Sequence, residues 1–408
     1  MLPGGRVVRL VLAASAGILA AAAGAAPNAE VRALWVTRAS LLSPAAIETM
    51  AKTAKGAGFN TLLVQVRARG DAYFNDGVEP RAAWLAAQPA DFDPLATSIK
   101  LGRQNGLAVH AWVNVGLVSS AAEIPTTRGH IVVRHPEWLM VPKPIARELL
   151  LTDPATQLYV DKLARWSRTA VEDVEGLYLS PVPEGAADHT LEVVADIAAR
   201  YAVDGIHLDY ARYPTDDFDF SREALVAFDT WLARHTSSDT PGPRPPARLV
   251  SQLLANVESA PDAWREFRRE RLTQLVARIR EAVRIRRPQA LVSVTVIPDP
   301  SEAASRRLQD WSAWLDRGIV DVVCPMAYGA DLPTFTAQLT SASRAAAGRP
   351  VWAGIGSYRI SASQTADHIQ VARRLGAQGI AVFSYDTLGG GAGPADYLSA
   401  VARAAFSR

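Results

Sequence analysis

The stretch DGIHLDYARYP, from Asp204 to Pro214, concentrates groups that can do chemistry. His207 and Asp209 alternate with Ile206 and Leu208, so both point to one face of a strand. The strand ends on the Asp209 carboxylate, and Tyr210, Arg212 and Tyr213 follow it. That set suits a polyhydroxylated ligand. Aromatic faces cover the C–H surface of a sugar ring, and Asp, Asn and Arg bind its hydroxyls. Cleaving a glycosidic bond needs two carboxyl groups, one a proton donor and the other a nucleophile or base. Asp209 is assigned as nucleophile or base, with His207 as a buried partner that orients it. The competing reading of Asp209 is a structural carboxylate bonded to Arg212 or capping the next element.

The second carboxylate is assigned to Asp299, in VIPDP, because it shares a strand face with Ser293 and Thr295. PDP is also an ordinary turn. Asp386, Asp71 and Glu137 of HPEW are the alternatives. Arg67, Asp71, Trp112, Asn114, His207, Tyr210, Arg212, Tyr328 and Asp386 are expected to shape the sugar site. Against this, Arg67 and Asp71 could form a salt bridge that pins a loop, and Trp112 could be core. Several alternatives find no support. The third strand reads HAWVN, so it has no HxH pair, and there is no HExxH, Cys/His cluster or GxSxG elbow. No metal or cofactor is expected. The single cysteine, Cys324, lies in the apolar run DVVCPMAY and reads as core.

These residues need strands to carry them. Apolar runs at 31–37, 60–67, 107–115, 203–210, 290–297, 318–328, 350–358 and 379–386 alternate with helical patterns. GLYLSP, from Gly176, reads as a short extra strand. Eight strands alternating with helices predict a (β/α)8 TIM barrel with loop insertions, in which function sits at the C-terminal strand ends. An open doubly wound sheet is disfavoured because no Gly-rich phosphate turn follows the first strand. The Pro/Ser/Gly stretch at 236–248 reads as an insertion, since strands continue on both sides of it.

The chain has 408 residues and a formal charge of +2, with 49% hydrophobic residues, enough for a large core. The near balance of charge argues against nucleic acid or an anionic membrane surface as partner. Arg6 and Arg9 precede an apolar run, Leu10–Ala23, which ends in Gly24-Ala25-Ala26. This pattern predicts a signal peptide over 1–26, a barrel domain over 30–408, a periplasmic or secreted location and no stable membrane insertion after cleavage. No cysteine lies near the expected cleavage point, so lipid attachment there is not expected.

EVRALWVTR, GFNTLLVQVRARGDAYF, GLAVHAWVNV, HPEW, YAVDGIHLDYARYP and DVVCPMAY occur in this order. Together they resemble the bacterial glycosyl hydrolase-like family 10 proteins over nearly all of the expected mature chain. The resemblance implies an extracytoplasmic barrel glycosidase whose polysaccharide substrate is peptidoglycan glycan, including strands stripped of peptide stems. Many members carry two successive acids where this chain has Asp209-Tyr210. The sequence is also similar in architecture to family 18 chitinases. His207 and Ala211 stand where that family's DGxDxDxE pattern has acids, so its chemistry is not expected. Two other readings compete: a glycan-binding barrel without catalysis, and a metal-dependent deacetylase or amidase on the same polymer.

Overall fold

The structure, a computed structural model, describes residues 1, 30–169, 174–236, 250–388 and 394–406. Apart from their first residues, the expected signal peptide at 1–26 and the insertion at 236–248 lie outside them. The described residues from Val31 onward form one compact unit. Its strands are β1 (Val31–Val36), β2 (Thr61–Arg67), β3 (Ala108–Asn114), β4 (Leu117–Ser119), β5 (Leu177–Tyr178), β6 (Gly205–Asp209), β7 (Leu291–Val296), β8 (Val322–Ala327), β9 (Trp352–Gly356) and β10 (Gly379–Phe383). Eight of them close a barrel in the order β1-β2-β3-β6-β7-β8-β9-β10. Every neighbouring pair is parallel. The eight apolar runs became these strands. β5, from GLYLSP, pairs antiparallel with β4 in a separate small sheet.

The strands form because their sequences are apolar on both faces, as strands of a parallel sheet buried between two layers must be. One face points inward, where Ala33, Trp35, Leu63, Trp112, Val322, Cys324, Trp352 and Ala381 pack together. The other face, including Leu34, Val36, Leu62, Val64, Ile206, Leu208, Val292 and Val294, packs against the helices. Helix starts are marked locally. Ser43, Asp93 and Asp331 each cap a backbone N–H, and each is followed by a helix with proline in its first turn. Gly58, at φ +77°, turns the chain from the first helix toward β2.

The long excursion between β3 and β6 has its own core. Val118, Ile131, Leu139 and Leu163 pack there with Phe228, Trp264 and Phe267 of later helices. This core holds β4 and β5 beside the C-terminal end of β3. Strand register then sets the polar layers of the interior. Trp112, His207 and Ser293 lie abreast, and one step further along Asn114 lies beside Asp209. No helix among the described residues is long and apolar enough to cross a membrane.

Candidate active site

Asp209 is the last residue of β6 and is 7% exposed. Its carbonyl accepts the Val115 N–H at 2.7 Å, which ties the end of β6 to the chain leaving β3. Its Oδ1 accepts the Tyr210 backbone N–H at 2.7 Å, Arg212 Nη1 at 3.4 Å and the Thr295 hydroxyl. All three donors fall on one oxygen. They fix the plane of the carboxylate and leave Oδ2 for a ligand. Thr295 faces inward because a hydroxyl in the middle of a buried strand finds a partner only inside the barrel.

Tyr210 has φ +50°, a left-handed conformation that is rare for a bulky residue and concentrates at functional turns. The turn brings its ring beneath the Arg212 guanidinium, 4.4 Å from the ring centre, and 6.2 Å from the Tyr178 ring. Its phenol donates to Glu175 Oε2. Glu175 is an exposed carboxylate just ahead of β5. Burial raises the Tyr210 phenol well above its ordinary range, and Glu175 and Asp209 push the same way. Burial works against the charge of Arg212, yet Asp209 and the Tyr210 ring outweigh it and raise its pKa. The mouth therefore holds a permanent cation and a permanent O–H donor at neutral pH.

The opposite wall is aromatic. Tyr328 lies 6.2 Å from Tyr358 and 5.8 Å from Phe383, centre to centre. Burial raises the Tyr328 phenol strongly and the Asp209 charge adds to this, so the two groups share one electrostatic environment. Cys324 is fully buried, and burial followed by Asp209 raises its thiol, which keeps it protonated and inert.

The structure separates the expected residues into two groups. Asp209, Tyr210, Arg212 and Tyr328 come together at the mouth. Several others are engaged elsewhere. Arg67 is 0% exposed, and each of its three nitrogens is already engaged within the protein. Its Nε and Nη2 donate to Glu79 at 2.7 and 2.5 Å, and its Nη1 donates to the carbonyls of Asn114 and Val115. The expected alternative partner, Asp71, instead accepts the Arg69 N–H at 2.9 Å in its own turn. His189 joins the pair, 3.0 Å from Glu79. Burial alone would raise the Glu79 carboxyl, but Arg67 and His189 prevail and hold it at about 2.

His207 does not orient Asp209. Its Nε2 accepts the Trp35 indole N–H at 2.9 Å, and its Nδ1 lies 2.8 Å from the Ser293 hydroxyl. Because an indole can only donate, the proton sits on Nδ1 and is given to Ser293. Burial lowers the His207 pKa to about 3, with His110 adding to the effect, so the ring is neutral. Trp112 is 3% exposed and packs edge-on against His207 and Phe383 within the barrel, so it is core and offers no open face. Asn114 is fully buried and donates to the Ala68 carbonyl at 2.8 Å, while its Oδ1 has no partner among the described residues.

Asp299 is an exposed helix cap. Its Oδ1 accepts the Glu302 N–H at 2.8 Å, and its Oδ2 is 3.5 Å from Ser341 on a neighbouring outer helix. The PDP motif is thus a helix start, and the carboxylate turns toward the helix layer. Asp386 holds the loop after β1, accepting the Thr37 N–H at 2.6 Å and the Ser40 hydroxyl; burial raises its pKa. Glu137 pairs with His135 at 2.9 Å. Among the described residues, no three His, Cys, Asp or Glu side chains cluster as a metal-binding group.

Two participants were not foreseen. Glu79 completes Arg67, and Glu175 reaches the mouth through Tyr210. Nothing local marks either one, because the partners lie 12 and 35 positions away.

The profile of the family described as Glycosyl hydrolase-like 10 matches residues 30–368. The chain is 20% identical to glycosyl hydrolase YngK of Bacillus subtilis (strain 168) over 291 residues, covering 66% of this chain and 46% of that protein. It is 22% identical to glycosyl hydrolase DigH of Escherichia coli (strain K12) over 291 residues, covering 66% of this chain and 55% of that one. It therefore spans about half the length of these curated relatives. Among solved structures, the glycoside hydrolase domain of PgaB (BpsB) from Bordetella bronchiseptica aligns with a TM-score of 0.60 at 17% identity, covering 88% of this chain and 95% of that one. The α-L-fucosidase isoenzyme 2 from Paenibacillus thiaminolyticus aligns with a TM-score of 0.56 at 15% identity, covering 92% and 49%. At these identities the structural likeness speaks to the barrel fold.

Proposed function

The chain belongs to the glycosyl hydrolase-like 10 family, and from that premise we propose that it is an exported glycoside hydrolase acting on a cell-envelope glycan, the strands of peptidoglycan. One observation carries the reading. Tyr210 links two carboxylates at the barrel mouth, with its N–H on Asp209 and its phenol on Glu175, in a setting of phenols and one guanidinium.

In this proposal Asp209 Oδ2 faces the anomeric carbon and acts as nucleophile or as the base that takes a proton from water. Glu175 replaces Asp299 as the proton donor. Its free oxygen carries the proton that the departing sugar oxygen receives as the C–O bond breaks. Water supplies the new hydroxyl, so the net reaction is hydrolysis. Arg212 and the Tyr328 phenol hold sugar oxygens. Export to the periplasm or beyond follows from the basic head, apolar run and small-residue end of residues 1–26.

The substrate is tested by offering peptide-stripped glycan strands, intact peptidoglycan and cellulose. Reducing ends released from the stripped or intact wall polymer, and not from cellulose, support the reading. Release from cellulose alone overturns the substrate. Tight binding to stripped strands with no release from any polymer favours a glycan-binding barrel instead.

A further inference from the structure

The chain has ten tryptophans. Trp84 is the one whose side chain is exposed, at 52%, whereas the other nine are buried or half-buried. Leaving an indole in water forgoes the largest single burial gain a side chain can offer. Its neighbours do not share this fate, since Ala82 and Leu85 on either side are buried in the core. The loop is also held in place. Arg81 donates to the carbonyls of Leu85 at 2.8 Å, Pro89 at 3.2 Å and Phe92 at 2.9 Å, and to the Asn75 side chain at 3.3 Å. One guanidinium thus ties together the turn that presents Trp84.

The position matters as well. Trp84 lies in the loop after β2, on the C-terminal side of the barrel where Asp209 also sits. The Arg38 guanidinium, just past the end of β1, lies 4.6 Å from the indole ring centre. Among the described residues no carboxylate pairs with Arg38, so its donors are open beside the ring. β2 and β3 separate β1 from β6 around the barrel, so this pair is on the rim several strands away from Asp209.

We propose that Trp84 and Arg38 form a sugar subsite remote from the point of cleavage. A pyranose ring of the glycan strand lies on the indole face opposite Arg38, and the Arg38 guanidinium backs the covered face and donates past the ring to oxygens of the adjoining sugar. This rests on the glycan reading above and adds to it where the strand is held away from the point of cleavage. An exposed aromatic with one face open and an unpaired guanidinium over the other matches the apolar face of one sugar and the oxygens of the next.

The test measures binding without turnover, in an Asp209→Asn background, by co-sedimentation and fluorescence titration with peptide-stripped glycan strands. Trp84→Ala should weaken binding about two- to tenfold, the range for one aromatic stacking contact. Trp84→Phe should recover part of that loss, and Arg38→Gln should weaken binding with the indole in place. The melting temperature should not move in any of them. Equal affinity across the parent, Trp84→Ala and Arg38→Gln would overturn the subsite while leaving the glycan reading intact. A parent that binds no glycan would overturn both. A loss of binding in Trp84→Ala accompanied by a collapse in melting temperature, with Trp84→Phe and Arg38→Gln binding like the parent, would make the indole structural and also overturn the subsite.

Discussion

Replacing Glu79 tests whether Arg67 is a structural cation beneath the mouth or a sugar ligand. Arg67 is fully buried, and two of its three nitrogens rest on Glu79. Removing one member of a buried pair strands the other charge, which costs about 3–5 kcal/mol for Glu79→Ala. Glu79→Gln keeps an acceptor and should cost about 1.5–3 kcal/mol. The pKa gives an independent check. The fall from the ordinary 4.5 to about 2 corresponds to about 3 kcal/mol. Because the folded value is depressed, this stabilisation is complete above pH 4.5 and is lost as pH falls toward 2. Urea unfolding at pH 7, 5 and 3 should therefore show a wide gap between wild type and Glu79→Gln that narrows in acid. The damage should also reach catalysis. Arg67 holds the Asn114 and Val115 carbonyls, and Val115 N–H holds the backbone of Asp209. Glu79→Gln should lower kcat with little change in KM. A stability gap below about 1 kcal/mol, or one that does not narrow in acid, would refute the reasoning.

Other perturbations follow from the same contacts. Thr295→Val removes one of the three donors on Asp209 Oδ1 and should lower kcat/KM about ten- to a hundredfold with an unchanged fold by circular dichroism. Glu175→Gln should abolish turnover of natural strands yet spare much of the activity toward an aryl glycoside whose leaving group needs no proton, and equal loss on both would remove Glu175 as the acid. Trp35→Phe leaves His207 Nε2 without its donor and should cost about 1–3 kcal/mol in urea unfolding. His207 and His110 are held neutral by burial, at about 3 and about 4, while an unfolded histidine titrates near 6.5. Their contribution is complete above pH 6.5 and falls on acidification, so the wild type should lose stability from pH 6.5 downward, and a flat profile between pH 6.5 and 4 would contradict the buried, neutral assignment.

The barrel was legible because its signals are local and repeated. Apolar runs closed by turn residues mark each strand, and alternation within a strand places Asp209 and Thr295 on the inner face. Parity also placed His207 on the face of Asp209, but it could not say that His207 would be claimed by Trp35, whose position in the sequence is 172 residues away. Asp299 shows the opposite failure. Counting by twos carried it onto the inner face, yet the chain leaves the strand after Val296, and the PDP turn starts a helix. Past the last ladder residue the period of two no longer applies. Arg67 was read as a ligand because its carboxylate lies in a loop and carries no motif. Glu175 was invisible for a similar reason: it acts through the left-handed turn at Tyr210, and that conformation has no signature in a tyrosine.

The central claim is that Asp209 drives hydrolysis of a wall glycan. The most direct measurement incubates peptide-stripped peptidoglycan strands with wild type and with Asp209→Asn and identifies the products by mass spectrometry. The account predicts shortened strands with new reducing ends from wild type and none from the variant. Equal product from both, or a mass change at an acetyl or peptide group with the strand length intact, would contradict it.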